Sequence, residues 1–568
     1  MSDTAGWVAT VIGESNESAP TGGIVTSGVG ESTESLFKRL EQLNQVGVSL
    51  SRERDINRLL ESILLAAKSI TLADGGTLYR VAESGSELRF EILRTDSLKI
   101  AMGGTSGVPI RFPNLPLRDT QGQPNDSLVA AYAAIHNQTV NIKDAYTEAN
   151  FDFSGTRAFD ERTGYRSQSF LAVPMKDHEG EVIGVLQLIN AINPLDGRVV
   201  PFSLADQSLA ESLASQAAIA LTNRLLMTQL EELFEAFINL INLAIDEKSH
   251  YTGGHCQRVP ALTMMLADAV SQTTAGPLAA FNMTDRDRYE LKIAGLLHDC
   301  GKVTTPVHVV DKATKLQTLF DRVDLVDTRF EVLKRDREID MLRAQLALRP
   351  QVDAQAEGQL SRALREKIEA LDSDRDFLRA TNTGGEFMVD GVIERVRNIG
   401  HNHQWRGPDG MQADFLTADE LENLTIRAGT LTQGERNTIN HHIVATIKML
   451  EQLPWPKHLR NVPEYAGGHH ERMDGKGYPK GLTRDQMSIQ ARCMGIADIF
   501  EALTAKDRPY KPGMKLSQAM GIMAKFKHNG HIDPDLFDVF VNQKVYESYA
   551  TQFLDPWQFD EVDPSLWV

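Results

Sequence analysis

The sequence predicts a multidomain protein with an α+β domain near the N-terminus, a long connecting helix and a helical second half. Three observations carry this reading. The chain has 568 residues, more than one ordinary hydrophobic core accommodates. Short β-like runs fall between residues 76 and 189 with a helical pattern ahead of them. The stretch from about Leu204 to Asp246 contains neither Pro nor Gly and reads as a single helix.

Residues 1 to about 34 are rich in Ser, Thr and Gly with little apolar periodicity, as in a flexible tail. From Ser35 the pattern turns helical, with Leu36, Leu40, Leu43 and Val46 at spacings of three and four. The runs 76–81, 88–93, 169–174 and 182–189 read as strands, and Asp177-His-Glu-Gly180 makes a hairpin turn between the last two. This α+β domain is expected to span 35–205, followed by a connecting helix over 206–245. Within that helix Leu226, Leu230, Leu233, Phe237, Leu240 and Ala244 alternate spacings of four and three. Such a seam suits a parallel two-helix contact, so a homodimer is expected; a helix packed within one chain would show the same stripe. Residues 316–428 form a block of their own, with Thr328 to Ala380 dense in charge, leucines at helical spacing and a break at Arg349-Pro350. It reads as a charged helical hairpin with a mostly solvated surface.

Composition narrows the function. The formal net charge of −18 disfavours binding to nucleic acid polymers or anionic membranes, so an enzyme for a small anionic substrate needs a local island of positive charge. The three cysteines, Cys256, Cys300 and Cys493, form no CxxC pair, which fits a reducing cytoplasm better than a disulfide framework. Neither a secretion leader nor an apolar run of roughly 20 residues is apparent, so no membrane span is expected.

The N-terminal stretch resembles a GAF domain over roughly residues 36–225. The resemblance rests on Phe159-Asp-Glu-Arg-Thr-Gly-Tyr-Arg166, on Leu171-Ala-Val-Pro-Met175 and on Gly184-Val-Leu-Gln-Leu-Ile-Asn190. It implies a regulatory domain that takes a small-molecule ligand or dimerises. GAF domains of cyclic-nucleotide phosphodiesterases carry an Asn-Lys pair and then Phe-x-x-x-Asp-Glu. Here those positions read Asn190-Ala191 and Phe202…Asp206-Gln207, so the Lys–Asp pairing cannot form. Cyclic-nucleotide sensing and a generic sensor both stay open.

The strongest chemical signals follow Ile245. Leu296-Leu-His-Asp-Cys-Gly-Lys302 sets His298 and Asp299 side by side at the end of an apolar helical segment. Imidazole can bind one metal while the adjacent carboxylate reaches a second. Asn440-His-His-Ile-Val-Ala-Thr446 and Gly468-His-His-Glu-Arg-Met-Asp-Gly-Lys-Gly-Tyr-Pro479 add two histidine pairs. Asp498 interrupts the apolar run Gly495 to Phe500, where an unpaired carboxylate would be costly. Each signal alone has an ordinary explanation, such as a hydrogen-bonded core histidine or a helix-capping aspartate. Together these nitrogen and oxygen ligands, without thiolate, describe a multinuclear site for iron, manganese or similar ions. Two metals roughly 3.5–4 Å apart suit phosphodiester hydrolysis, activating water and neutralising phosphoryl charge.

At this point the runs HDCGK (298–302), HHERMDGKGYP (469–479) and DIFEALTAKDRPYK (498–511) resemble an HD-GYP domain over roughly 240–315 and 429–545, interrupted by the charged block. The resemblance implies an all-α HD-type catalytic bundle over 246–568. The implied activity is metal-dependent hydrolysis of cyclic di-GMP to pGpG and/or GMP. Matched position by position, His298, Asp299, His442, His469, His470 and Asp498 are the implied ligands, with Asp299 as the bridging carboxylate. His442 is preferred over His441 because Thr446 and Leu450 follow it at the family's spacing. His255 resembles the family's first histidine. Members with a third metal have a Glu four residues before it; Tyr251 stands there, which favours two divalent ions over three. Lys302 resembles the lysine at the scissile phosphate, and Tyr478, Arg508 and Lys511 match substrate-binding positions, although Ala505-Lys-Asp-Arg508 is one residue longer than the commonest form. Gly475 and Gly477 allow the loop to turn sharply. Cys300 stands where relatives often have Ile and reads as a buried packing residue. Two other readings remain open here: an HD-family phosphohydrolase for another cyclic dinucleotide, and a non-catalytic nucleotide-binding scaffold.

Overall fold

The computed structural model describes residues 33–248, 254–348, 354–385, 387–505 and 513–563, so residues 1–32 of the expected tail lie outside the described residues. The chain divides between Glu232 and Leu233 into two compact units.

The first unit opens with α1 (Thr33–Leu50) and α2 (Ile56–Thr71). The Asp55 carboxylate caps α2 by accepting the Arg58 N–H at 2.8 Å. Leu59, Leu60, Ile63, Leu64, Ala67 and Ile70 bury one face of that helix. The remaining elements are β1 (Ala73–Val81), β2 (Glu87–Thr95), β3 (Ile100–Gly103), β4 (Leu115–Pro116), α3 (Val129–His136), β5 (Val140–Ile142), α4 (Ser154–Thr163), β6 (Phe170–Lys176), β7 (Val182–Ile192) and β8 (Val199–Val200). The sheet runs β3-β2-β1-β7-β6-β5, with β4 on β2 and β8 on β7, and every pairing is antiparallel. The four expected strands lie within or at the ends of β1, β2, β6 and β7. The turn at Asp177 forms too, with the Gly180 N–H donating to the Asp177 carbonyl at 3.2 Å. Strands β6 and β7 are buried almost continuously because α1, α2 and the next helix cover one face while α3 and Phe153 cover the other.

That next helix, α5 (Leu204–Lys248), is the long helix expected from the sequence. The α+β domain extends past residue 205, where the sequence alone sets its end. In the structure Leu209, Ala210, Leu213, Ala214, Ala217, Ala218 and Leu221 belong to that domain's core. They recur every three or four residues and cover the sheet face beside α2, so the connector proper begins later. Beyond them Leu226, Leu230, Leu233, Phe237 and Leu240 are 45–64% exposed, so the expected seam is open along the helix. Asp206, left without the family's lysine, pairs with Arg39 of α1 instead. Asn190 adopts a left-handed conformation, and its side chain holds the Gln168 and Ser169 N–H groups and the Arg166 carbonyl.

The second unit is a helical bundle. It contains α6 (His255–Ser271), α7 (Asp285–Leu297), a 3-10 turn (Cys300–Thr304) and α8 (Val307–Val310). The charged block follows as α9 (Val323–Leu348), α10 (Ala354–Asn382), α11 (Asp390–Asn402), the hairpin β9 (Gln404–Arg406)–β10 (Gln412–Asp414) and α12 (Ala418–Leu424). The bundle then resumes with α13 (Gln433–Glu451), α14 (Val462–Gly467), α15 (Ile489–Thr504), α16 (Leu516–His528), α17 (Pro534–Asn542) and α18 (Val545–Phe553). One core joins α6, α7 and α14–α18 with Ile238 and Ile245 of α5. No helix among the described residues is long and apolar enough to cross a membrane.

The charged block is more than a solvated hairpin. Phe330, Leu333, Leu371, Leu378, Val396 and Phe415 build a separate small core. The break at Arg349-Pro350 lies outside the described residues. Beside that core the Arg329 guanidinium donates to both Glu420 oxygens, at 2.8 and 2.5 Å, and to the Phe415 carbonyl at 2.6 Å. Burial works to raise the Glu420 carboxyl, but Arg329 outweighs it and holds the group below its ordinary range. Arg329→Met strands a buried carboxylate and should destabilise this block by about 3–5 kcal/mol in denaturant unfolding at pH 7. The pair's contribution is full above the ordinary glutamate pKa and is lost as pH falls through the lower folded value. The gap between variant and wild type should therefore narrow as pH falls below the ordinary glutamate value.

Candidate metal centre

Five segments bring the histidines and aspartates together. His255 opens α6, His298 and Asp299 follow the last turn of α7, and His442 lies within α13. His469 and His470 follow α14, and Asp498 lies on α15. The turn carrying Asp299 lies tightly on α13. The Gly301 N–H donates to Thr446 Oγ1 at 2.9 Å, and a Cβ on Gly301 would stand 2.0 Å from the His442 carbonyl oxygen. The loop after His470 is equally close. A Cβ on Gly477 would fall 2.4 Å from the Arg472 nitrogen, and Glu471 holds the loop by accepting the Lys480 and Leu482 N–H groups at 2.7 and 2.9 Å.

The imidazoles are oriented from behind. His298 Nδ1 lies 2.7 Å from the Gly295 carbonyl, His469 Nδ1 lies 2.7 Å from the Ala466 carbonyl, and His442 Nδ1 pairs with the Ile439 carbonyl. A carbonyl only accepts, so each Nδ1 carries the proton and each Nε2 presents a lone pair to the interior. His255 follows the same scheme with a carboxylate, its Nδ1 standing 2.6 Å from Glu501 Oε2. The inward nitrogens approach one another, His298 Nε2 to His255 Nε2 at 3.3 Å and His470 Nε2 to His442 Nε2 at 3.1 Å.

Asp299 lies between these two sets. Its Oδ2 stands 3.0 Å from His255 Nε2, 3.2 Å from His298 Nε2 and 2.6 Å from Lys302 Nζ, while Oδ1 stands 3.3 Å from His442 Nε2. Asp498 Oδ1 is 3.4 Å from His255 Nε2. Tyr478 stacks on His470 with ring centroids 4.9 Å apart. His441, by contrast, is exposed. Arg508, Lys511 and Tyr251 lie outside the described residues.

The charges follow from this packing. Burial works to raise the Asp299 carboxyl, but Lys302 and His298 outweigh it and hold the group well below the usual carboxylate range. Burial and neighbouring imidazoles push His469 down to about 4 and His470 well below its ordinary value. Burial also lowers His255, but the Glu501 carboxylate overcomes it and pushes the group up to about 9. A cation on Nε2 would take the place of that proton. Burial pushes the Cys300 thiol up to about 11, as expected of a packing residue.

These residues fit divalent metal ions. The ligand atoms of His255, His298 and Asp299 lie within 4.8 Å of one another, as do those of His442, His469 and His470. Asp299 Oδ1 and His469 Nε2 are buried and have no hydrogen-bond partner among the described residues. Orphaned acceptors of this kind are costly unless something electropositive sits between them.

Glu501 and Arg258 were not singled out from the sequence. Glu501 is 1% exposed, accepts Arg258 Nε at 2.8 Å and orients His255. Its signal was available as a second acid three residues after Asp498 on the same apolar helix. Burial raises this carboxyl, but His255 and Arg258 bring it down to about 2.

Residues 55–221 match the family model described as a GAF domain. Residues 252–365 and 417–536 match two models described as an HD domain. The chain joins a GAF domain to an HD domain. Among curated relatives, a 3'3'-cGAMP-specific phosphodiesterase of Vibrio cholerae is 35% identical over 150 residues, 26% of this chain and 34% of that protein. A cyclic di-GMP phosphodiesterase of Pseudomonas aeruginosa is 38% identical over 115 residues, 20% of this chain and 27% of that one. A cyclic di-GMP phosphodiesterase response regulator of Xanthomonas campestris is 29% identical over 134 residues, 23% of this chain and 34% of that one. The chain thus spans about a third or less of these relatives' own length.

In the HD domain the contact at Gly301 leaves no room for a side chain. Gly301→Ala should destabilise this unit by about 1–3 kcal/mol through overpacking against α13, measured by chemical denaturation of the full chain.

Proposed function

We propose that the chain is a metal-dependent phosphodiesterase that hydrolyses cyclic di-GMP to pGpG and/or GMP under control of its GAF domain. The observation that carries this is the placement of Asp299, one carboxylate whose two oxygens face two separate histidine sets. On this reading His255, His298, Asp299 and Asp498 hold one ion, and Asp299, His442, His469 and His470 hold another. Iron or manganese suits such a set of imidazole and carboxylate ligands. When bound, two such ions supply an activated water and neutralise phosphoryl charge.

The chain's own residues do the rest. Lys302 Nζ, 2.6 Å from Asp299 and partly accessible, is placed to receive a phosphoryl oxygen and to stabilise the leaving oxygen. Tyr478 walls the site beside His470, with burial pushing its hydroxyl up to about 12, so it stays a neutral donor. Arg508 and Lys511 are assigned to substrate on sequence grounds. The three cysteines are free and buried, which suits a reducing cytoplasm. A second reading has a specific observation behind it, the relatives named as specific for 3'3'-cGAMP.

The deciding experiment is anaerobic purification, metal analysis and chromatography with both cyclic dinucleotides. The expected result is about two iron or manganese ions per chain and pGpG or GMP from cyclic di-GMP. Preferential breakdown of 3'3'-cGAMP would instead favour the second reading, and absence of metal and turnover after reconstitution would favour a nucleotide-binding scaffold. Asp299→Ala should abolish turnover and lower the metal content while leaving the GAF domain folded. Unchanged metal and substantial activity in that variant would overturn the assignment.

The exposed stripe from Leu226 to Ala244 supports a parallel homodimer through the connecting helix, with the GAF domain contributing. Replacing Leu230 and Leu240 with Lys should convert the dimer to a monomer, read by light scattering. A wild-type monomer at micromolar concentration would refute it.

A further inference from the structure

The last turn of α5 touches the segment that carries Lys302. Lys248 Nζ donates to the Val303 carbonyl and lies 3.4 Å from the Lys302 carbonyl. Both carbonyls belong to the 3-10 turn Cys300–Thr304, which directly follows Asp299. Carbonyls at the end of a short helical turn lack partners within it, and a lysine ammonium is well suited to them. Two residues earlier, Asp246 Oδ2 accepts the Gly254 N–H at 3.5 Å, immediately before His255. One helix end thus contacts the backbone leading into two parts of the candidate centre.

The seat beneath that end is mixed. Phe234 packs edge-on against Trp455, and Ile238 and Ile245 enter the bundle core. Between them Asn242 is 4% exposed, and neither its Oδ1 nor its Nδ2 has a hydrogen-bond partner among the described residues. A buried, unpaired amide is a penalty within the helix seat. The seat is weaker than an all-apolar one would be, so the polar contacts at Lys248 carry more of the register between α5 and the turn.

We propose that Lys248 is a positioning residue that clasps the turn bearing Lys302, and that it is the contact through which a shift or rotation of α5 alters the site. This rests on the hydrolase reading above and names the regulation of that same site. It requires no new bond: when α5 moves, the Val303 carbonyl loses its Lys248 donor while the Lys302 carbonyl keeps only the Thr305 N–H, the turn loosens, and Lys302 leaves its place beside Asp299.

The test uses the full-length protein with Lys248→Met and Lys248→Arg. It reads kcat and KM on cyclic di-GMP, bound metal, and hydrogen exchange of peptides spanning residues 299–305. In Lys248→Met, kcat should fall about tenfold with KM and metal content near wild type, and exchange in that turn should rise. Lys248→Arg, which can still donate to both carbonyls, should restore both readouts. Wild-type kcat and exchange in Lys248→Met would overturn the proposal, as would an Arg variant as impaired as the Met variant. If the wild type turns over no cyclic dinucleotide, the functional reading fails separately. Exchange then still decides the clasp, faster in Lys248→Met supporting it and unchanged refuting it.

Discussion

The Asp299 carboxylate is 2% exposed, and its burial sets conditions that much of the second unit must meet. Removing a carboxylate from water costs several kcal/mol unless opposite charge and hydrogen bonds replace the solvent. Here the replacement comes from His255 on α6 and Lys302 in the turn after α7, with Asp498 on α15 facing the same group of imidazoles. Neither α6 nor that turn can move without leaving the carboxylate short of partners. The close approach at Gly301 and the ion pair of Glu501 with Arg258 are ways of holding that geometry.

The orientation of the imidazoles draws on an ordinary property of helices. The last carbonyls of a helix have no intrahelical donor. His298 follows the last residue of α7 and takes the Gly295 carbonyl; His469 follows α14 and takes the Ala466 carbonyl. A histidine just past a helix end therefore satisfies an orphan acceptor and turns its other nitrogen inward in one step. His255 opens its helix instead of closing one, and it uses the Glu501 carboxylate for the same purpose.

Helix α5 carries two apolar stripes with different fates. Phe234, Ile238 and Ile245 pack into the HD-domain core, while Leu226, Leu230, Leu233, Phe237 and Leu240 stay exposed. A helix apolar on both sides is costly in water unless the second side is covered. The same helix contributes to the GAF core at one end and reaches the Val303 carbonyl at the other, so the connection between the two domains is a single continuous helix.

His298, Asp299, His442, His469, His470 and Asp498 stood out in the sequence as candidate ligands because coordination chemistry restricts residue type, and folding brings these side chains together. The strands at 76–81 and 182–189 and the helix from Leu204 were legible for a similar reason, since periodicity is a local property. What depended on distant packing was not. The extension of the GAF core to Leu221 is decided by which sheet face lay open, and the core of the charged block by Phe330 meeting Phe415 across 85 positions in sequence. Glu501 looked like any acid on a helix until folding placed it against His255, 246 residues away. Residue identity and local period are written along the chain, whereas contacts between remote segments exist only once the core has closed, and those contacts decide which carboxylate lies against which imidazole.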